Sequence, residues 1–284
     1  MSTSTNPLIQ TGAGDLPKII LATTDGARAE IYLYGAHVTS WIPAGGSEAL
    51  FLSPKANFSP GLSIRGGVPI IFPQFGGLGP LPAHGFARNV TWELAESATD
   101  QAVLRLRESE SELKMWPYKF ELEYTVRIGG KQLELSLKVT NTDDAPFEFT
   151  AALHTYLKVH DLRQTIVGGL KGVWLADRTK PSTGIKREAT QKDEWLKFPG
   201  EVDSVYFDVT HPIQLVQNEK RINIEKSGFS DVVVWNPGRE KCAASKDMLP
   251  DSYFEFVCIE AAAVENPIKL GPGESRIGMQ KLIA

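Results

Sequence analysis

The sequence predicts an all-β protein, a sandwich or barrel, with few short helices. Apolar and polar residues alternate along several segments, which is the pattern of half-buried strands. Helical periodicity is scarce, and no sustained helices alternate with the strands as a parallel α/β sheet would require. The 25 glycines and 18 prolines supply the many turns that short strands need.

The clearest element is a predicted β-hairpin. Apolar and polar residues alternate from Phe120 to Ile128 and again from Leu133 to Thr140. Gly129 and Gly130 lie between the two runs and tolerate the positive φ values of a tight turn. The sequence therefore defines both faces of both strands.

The remaining elements are shorter or less regular. The other strand-like runs are residues 18–22, 27–34, 102–107, 147–159, 221–225, 231–235, 253–260 and 276–283. One short helix is predicted over residues 110–116, because Ser109 and Glu112 have the spacing of a capping box. No linker-like change in composition divides the chain, so we expect one domain over residues 1–284, with 1–15 as a flexible tail.

Composition disfavours several classes of protein. The 34 acidic and 30 basic residues give a formal net charge of −4 without any basic run, so nucleic acid is not expected as a partner. No stretch approaches about 18 consecutive apolar residues, so we expect no membrane-spanning helix. Cys242 and Cys258 form no CxxC pair, and we expect reduced thiols in a cytoplasmic protein. A sandwich of this size is expected to be a monomer.

The segment 63–89 combines glycine turns with basic side chains. Arg65, His84 and Arg88 all lie close to glycines in the sequence. Glycine lets a backbone approach a ligand closely, and guanidinium groups suit clustered anionic oxygens such as those of phosphate. Two surface arginines on a turn-rich loop are an equally open interpretation.

Other side chains could carry proton-transfer or stacking chemistry. His154 lies in a strand-like run and could transfer protons, although a lone histidine in a strand is more often a structural hydrogen-bonding group. Glu260 ends an apolar row; burial would raise its pKa towards that of a general base, whereas a solvated strand end would not. Trp235 follows three valines and could stack on a sugar or pack in the core. Asp203 alone has the pattern of an ordinary loop aspartate.

Sequence signals for other chemistries are missing. The five histidines show neither HxH nor HxxxH spacing, so no metal is predicted. The sequence contains no P-loop, no GxGxxG fingerprint and no GxSxG nucleophile motif. We therefore expect no cofactor.

Eight short motifs occur in a fixed order along the chain. They are residues 35–38 (GAHV), 64–69 (IRGGVP), 72–76 (FPQFG), 84–88 (HGFAR), 153–156 (LHTY), 202–206 (VDSVY), 235–237 (WNP) and 258–260 (CIE). Each motif alone is weak, but together they resemble the aldose 1-epimerase family, and most closely its glucose-6-phosphate 1-epimerase branch. The resemblance extends over residues 24–281.

The resemblance implies a fold and a set of site residues. The fold would be a galactose mutarotase-like β-sandwich, with His154 as general acid and Glu260 as general base. The implied substrate-binding residues are Arg65, Gln74, His84, Arg88, Asp203 and Trp235. Arg65 and Arg88 would hold a sugar phosphate. One departure from the family pattern bears on the substrate: Ala83 stands where glutamine is common, so a side-chain contact to substrate is lost.

The implied activity is the interconversion of the α and β anomers of glucose 6-phosphate, or of related hexose 6-phosphates, by ring opening and reclosure. A non-catalytic phosphosugar-binding or regulatory protein is one alternative, although both proton-transfer positions are intact. An epimerase of neutral aldoses is another, and the two arginines argue against it. Glycoside hydrolysis is weaker, because the best pair is a glutamate and a histidine and not two carboxylates.

Overall fold

The computed structural model describes residues 9–180, 185–218 and 220–284. These residues form 21 β-strands, two α-helices and four short 3-10 helices. The strands are β1 (Gln10–Thr11), β2 (Pro17–Ala22), β3 (Arg28–Tyr32), β4 (His37–Ile42), β5 (Ile70–Ile71), β6 (Glu93–Ser97), β7 (Gln101–Arg107), β8 (Phe120–Gly129), β9 (Gln132–Asn141), β10 (Phe147–Leu153), β11 (Tyr156–Lys158), β12 (Thr165–Gly168), β13 (Trp174–Asp177), β14 (Ala189–Thr190), β15 (Trp195–Leu196), β16 (Val202–Tyr206), β17 (Ile213–Gln217), β18 (Lys220–Ser227), β19 (Asp231–Asn236), β20 (Phe256–Leu270) and β21 (Ser275–Ile283). The helices are α1 (Glu110–Met115), α2 (Gly238–Ala244) and the 3-10 segments Ala13–Asp15, Ala87–Asn89, Leu162–Gln164 and Ser252–Glu255.

The strands form three antiparallel sheets. A four-stranded sheet has the order β1-β2-β3-β4. An eight-stranded sheet has the order β14-β13-β16-β19-β20-β10-β5, and β11 also pairs with β20. A nine-stranded sheet has the order β15-β12-β17-β18-β21-β9-β8-β7-β6. The all-β prediction is confirmed.

The main core lies between the eight-stranded and nine-stranded sheets. Val257, Ile259 and Ala261 of β20 share one buried cluster with Leu133 and Leu135 of β9. Because side chains alternate along a strand, the intervening residues of β20 point to the other face of the sheet. That face carries two smaller apolar clusters, which include Phe256, Cys258, Ala262 and Val264. Glu260 lies between these two clusters, away from the main core.

The predicted hairpin and helix are both confirmed. Strands β8 and β9 pair from Gly129 with Gln132 to Phe120 with Asn141. The Glu112 carboxylate accepts a hydrogen bond from the Ser109 backbone N–H at 3.1 Å, as the capping box requires. Local periodicity was sufficient for both elements, because each is stabilised by contacts close in the sequence.

Two predicted strands were wrong in extent. The run 147–159 is interrupted at His154 and Thr155, which belong to neither β10 nor β11. The run 253–260 begins as a 3-10 helix, Ser252–Glu255, and its strand then continues to Leu270. Glu260 is therefore in the middle of a strand and not at its tip.

Asp203 and the N-terminal segment also differ from expectation. Asp203 lies inside β16, paired with Trp235, and not in a loop. Gln10 pairs with Lys18, and the Ala13 N–H donates to the Tyr32 hydroxyl at 3.0 Å, so the expected flexible tail is structured from Gln10 to Asp15. Residues 1–8 lie outside the described part of the chain.

Both cysteines are buried and free. This confirms the expectation of unpaired thiols. In the described ranges, no helix has the length and apolar character needed to cross a membrane.

Candidate active site

Strand register brings distant residues into one row on the outer face of the eight-stranded sheet. Asp203 of β16 is paired with Trp235 of β19, and Trp235 with Cys258 of β20. Cys258 is in turn paired with Tyr156 of β11. Residues paired directly across strands point to the same face, so four segments of the chain converge here.

The interruption between β10 and β11 places His154 beside Glu260. The last pair of β10 is Leu153 with Ala261, and the first pair of β11 is Tyr156 with Cys258. His154 instead donates its backbone N–H to the Pro69 carbonyl at 3.0 Å. Its imidazole Nε2 lies 3.4 Å from Glu260 Oε1.

The side chains of the site differ in their exposure to solvent. The side chain of Glu260 is 1% exposed and that of His154 is 9% exposed. The side chains of Arg178 and Arg65 are 27% and 30% exposed. The proton-transfer pair therefore lies at the bottom of the site, with guanidinium groups nearer the solvent.

Burial shifts the two proton-transfer groups in opposite directions. Burial, and then the charge of Asp203, raises the pKa of Glu260 well above its usual value. Burial, followed by His84, Arg88 and Arg65, lowers the pKa of His154 well below its usual value. Both pKa shifts favour protonated Glu260 beside neutral His154. Moving that one proton across the pair gives a carboxylate and an imidazolium with the same total charge.

His84 is a neutral hydrogen-bond donor facing His154. The rings lie 5.8 Å apart in an edge-to-face arrangement. His84 Nδ1 accepts the Gly76 backbone N–H at 3.2 Å, which leaves the proton on Nε2. Burial and the neighbouring arginines lower the pKa of His84 to about 3, so the ring stays neutral. The residue adopts a φ of 69°, a strained backbone for any residue with a Cβ.

The two predicted phosphate-binding arginines are held differently. Arg65 Nε donates to Asp247 Oδ2 at 3.0 Å, and Nη1 donates to the Tyr156 hydroxyl at 3.1 Å. Arg88 Nη2 donates to the Ala83 carbonyl at 3.0 Å. Within the described ranges Arg88 Nε is buried without a hydrogen-bond partner. Burial, and to a smaller extent Arg65, lowers the pKa of Arg88.

Two more atoms at the bottom of the site are buried without partners in the described ranges. They are His154 Nδ1 and Glu260 Oε2. Buried polar atoms are normally hydrogen-bonded, so unpaired ones mark places where a ligand can bind. Together with Arg88 Nε they provide donor and acceptor positions for a polar molecule.

Seven of the eight predicted site residues converge here, and Gln74 lies behind them. Trp235 meets the His154 ring edge-to-face at 5.8 Å. Gln74 donates to the carbonyls of Gly76 and Leu81 and accepts from the Leu81 N–H, all at 3.0 Å. Its amide thus holds the loop whose Gly76 fixes His84. Direct contact of Gln74 with substrate stays a prediction.

The sequence reasoning missed three residues of the site. Arg178 Nε lies 3.8 Å from Asp203 Oδ1, and the guanidinium lies 5.2 Å from the centre of the Phe75 ring. Asp247 and Tyr156 both bind Arg65. Only Tyr156 stood in a recognised motif; nothing in the local sequence marks the other two.

The described ranges contain no cluster of three or more His, Cys, Asp or Glu side chains suited to a metal ion. A separate cavity of about 580 Å³ is lined by Lys131, Lys158, Lys220 and Arg221 among others. None of the predicted site residues lines it. The candidate active site therefore rests on the His154–Glu260 pair and its arginines.

The chain is similar to known proteins over nearly its whole length. A family model described as aldose 1-epimerase matches residues 17–281. A protein of Cenchrus ciliaris, provisionally named glucose-6-phosphate 1-epimerase, is 40% identical over 98% of this chain and 87% of its own length. A protein of Escherichia coli with the same provisional name is 35% identical over 90% of this chain and 87% of its own length.

Solved structures share the fold. The crystal structure of a provisionally assigned mutarotase from Salmonella typhimurium superposes with a TM-score of 0.87 and 30% identity, covering 99% of this chain and 94% of that chain. A galactose mutarotase-like protein from Lactobacillus casei gives a TM-score of 0.74 at 18% identity, covering 94% and 99%. The predicted galactose mutarotase-like fold is confirmed.

Proposed function

The chain belongs to the aldose 1-epimerase family, and we propose that it interconverts the α and β anomers of a hexose 6-phosphate, with glucose 6-phosphate as the first choice. The observation that carries this proposal is the buried pair of His154 and Glu260, 3.4 Å apart beneath the arginines. The provisional names of the Cenchrus ciliaris and Escherichia coli relatives support this substrate.

The chemistry needs one base and one acid at adjacent oxygens. The Glu260 carboxylate takes the proton of the O1 hydroxyl, and O1 becomes the carbonyl oxygen of an aldehyde. The C1–O5 bond breaks, its electron pair stays on O5, and His154 as imidazolium protonates O5. Rotation about C1–C2 presents the other face of the aldehyde, and reclosure reverses both transfers. Each positioned proton transfer is typically worth about 10²–10⁴-fold in rate.

The one-proton state of the pair suits this cycle. Before ring opening the proton is on His154, and after opening it is on Glu260. Burial raises the pKa of Glu260 and lowers the pKa of His154, so it favours the state reached after opening. The pair therefore holds its one proton on His154 before ring opening and on Glu260 after it, as the two proton transfers require.

A phosphate dianion would prepare the pair for reaction. Besides burial and the neighbouring His84 ring, the charges of Arg88 and Arg65 lower the pKa of His154. A dianion bound by Arg65 and Arg88 offsets these positive charges and makes the imidazolium easier to form. Arg88 has an unpartnered buried Nε for such an oxygen. The phosphate would thus both anchor the sugar and favour the acid form of His154.

Other site residues have supporting roles in the proposal. His84 would donate Nε2–H to a sugar oxygen, because Gly76 occupies its Nδ1. Asp203 would accept from sugar hydroxyls, oriented by Arg178. Trp235 would offer its ring to the apolar face of the sugar. Gln74 would act through the loop that it holds.

Neutral aldoses are the main alternative substrates, and the positive charges of Arg65 and Arg88 disfavour them. A neutral sugar leaves the buried charge of Arg88 without a counter-ion. The test is anomer exchange followed by NMR at low temperature, with glucose 6-phosphate and free glucose in parallel. We expect acceleration for glucose 6-phosphate and at least about a hundredfold lower kcat/KM for free glucose. Equal acceleration would establish a neutral-aldose epimerase, and binding without acceleration would establish a phosphosugar-binding protein.

Three organisational predictions accompany the function. We propose a single domain, supported by a main core that includes residues from Ile19 to Leu282. A cytoplasmic location is supported by the two free cysteines, which are typical of reducing compartments. A monomer stays a prediction.

A further inference from the structure

We propose that Tyr156 is a positioning residue that links the phosphate-binding arginine to the general acid. Its hydroxyl fixes Arg65 and its ring fixes His154. The inference rests on the proposed function, because it assigns roles within that site. It adds a residue for which the motif alone indicated no role.

The Tyr156 hydroxyl fixes Arg65 through a hydrogen bond. Arg65 Nη1 donates to the Tyr156 hydroxyl at 3.1 Å, while Nε donates to Asp247 Oδ2 at 3.0 Å. The two contacts lie on different nitrogens, so they fix the plane of the guanidinium and not only its position. Among the described residues Arg65 Nη2 has no hydrogen-bond partner, so its N–H groups are available to phosphate oxygens. Burial raises the pKa of Tyr156, so its phenol stays protonated and accepts this bond as a neutral group.

The Tyr156 ring fixes His154 by stacking. The Tyr156 and His154 rings lie 4.8 Å apart and only 11° from parallel. Behind Tyr156 stands an aromatic wall, with Phe256 at 5.2 Å and Trp235 at 6.0 Å. The tyrosine is 2% exposed and cannot turn away from this position. A fixed aromatic face orients the imidazole and stabilises the imidazolium more than the neutral ring.

The backbone makes the arrangement rigid. The Tyr156 N–H donates to the Gly67 carbonyl, and its carbonyl accepts from the Phe51 N–H, both at 2.9 Å. Gly67 belongs to the glycine pair that follows Arg65 in sequence. The arginine, the tyrosine and the histidine are therefore held by one continuous set of contacts, and each end of the tyrosine serves a different partner.

Because the hydroxyl and the ring of Tyr156 have separate roles, removing each should affect a different kinetic constant. Tyr156→Phe removes the hydroxyl and keeps the ring, so KM for glucose 6-phosphate should rise about tenfold while kcat stays within about twofold. Tyr156→Leu removes both, so kcat should also fall, by about fivefold or more. A tenfold rise in KM with an unchanged kcat in Tyr156→Phe is a result that a merely structural role would not produce, because phenylalanine preserves the packing of the ring.

The control and the coupling test use residues already in the chain. Tyr124→Phe also removes a buried hydroxyl, one that has no hydrogen-bond partner in the described ranges and lies on β8, and it should change neither constant. In an Arg65→Met background, Tyr156→Phe should raise KM no further, because the hydroxyl acts through Arg65. Additive effects in this double variant would overturn the inference even if Tyr156→Leu does not fold. An unchanged KM in Tyr156→Phe would also overturn the inference. A loss of kcat in Tyr156→Phe as large as that in Tyr156→Leu would do the same.

Failure of the proposed function would be recognised separately. If the wild-type protein does not accelerate anomer exchange, the proposed function fails. Calorimetric binding of glucose 6-phosphate then tests the link between the tyrosine and Arg65. A tenfold larger dissociation constant in Tyr156→Phe would support this link, provided that the same substitution has no effect in the Arg65→Met background. An unchanged dissociation constant in Tyr156→Phe would overturn it.

Discussion

Replacing Arg88 by methionine is expected to make the protein more stable and less active. Arg88 is a half-buried cation with one hydrogen bond to the Ala83 carbonyl and a buried, unpartnered Nε in the described ranges. Burial lowers its pKa, which means that the folded protein disfavours its charge. Methionine keeps the apolar stem and removes that charge. Arg65→Met is the matched control, because Arg65 is paired with Asp247 and Tyr156.

The magnitudes follow from these contacts. Relieving a buried, unpaired charge at a functional site should raise the free energy of unfolding by about 1 kcal/mol. Losing the half-exposed Arg65–Asp247 pair and the bond to Tyr156 should lower it by about 1–2 kcal/mol. Both variants should lose about 2–4 kcal/mol of interaction with a phosphate dianion, or about 30- to 1,000-fold in kcat/KM.

The assay combines urea denaturation with anomer exchange on glucose 6-phosphate. Ligand protection supplies a third readout, since ligand at 100 times its dissociation constant stabilises the native state by about 2.7 kcal/mol. That protection should fall below about 1 kcal/mol in Arg88→Met at the same concentration, because the ligand is then at only about 0.1 to 3 times its dissociation constant. Equal destabilisation in the two variants would refute the claim that Arg88 is unpaired. Unchanged turnover in Arg88→Met would refute its role in phosphate binding.

Three further predictions concern other parts of the structure. Gly67→Ala should destabilise the protein by about 2 kcal/mol or more in urea, because φ is +60° and a Cβ would lie 2.2 Å from the Val38 carbonyl oxygen. Burial lowers the pKa of His37 from 6.5 to about 4, so neutral His37 contributes fully to the free energy of unfolding above about pH 6.5. About 3 kcal/mol of that free energy should be lost as the pH falls to about 4. His37→Gln should flatten this part of the profile of stability against pH. Arg178 lowers the pKa of Glu260, so Arg178→Met should move the acidic limb of the pH–kcat profile to higher pH.

Much of the fold could be predicted because a period of two is a local signal. The hairpin of β8 and β9 has the predicted bounds to within one or two residues. The length of β20 could not be predicted, because Ala261 to Ala263 fit either face of a sheet and end the visible alternation. The sequence therefore placed Glu260 at a strand end, whereas it lies within a 15-residue strand.

The break at His154 depended on contacts that are distant in sequence. Residues 151–157 have the composition of one continuous strand. The His154 N–H instead bonds the Pro69 carbonyl, and Thr155 accepts from the Ile259 N–H. The sequence around His154 gives no sign of either contact. This break is the feature that brings the imidazole to the carboxylate.

Site residues that lie in recognisable motifs could be predicted, whereas residues placed only by strand pairing or long-range contacts could not. Arg178 reaches Asp203 because β13 pairs with β16, and its backbone N–H bonds the Asp203 carbonyl at 2.7 Å. Asp247 lies 182 residues from Arg65. Such contacts follow from the assembled sheet, and the sequence around each residue contains no sign of them.

The most direct test of the central claim is magnetisation transfer between the α and β anomers of glucose 6-phosphate with wild-type protein and Glu260→Gln. Glu265→Gln is the matched control, since Glu265 stands on the same strand and pairs with Arg187 near the surface. Binding of glucose 6-phosphate is measured by calorimetry in each. We expect wild type and Glu265→Gln to accelerate exchange alike, and Glu260→Gln to bind but lose about 10²–10⁴-fold in rate. Full exchange rate in Glu260→Gln would contradict the assignment of Glu260 as the base.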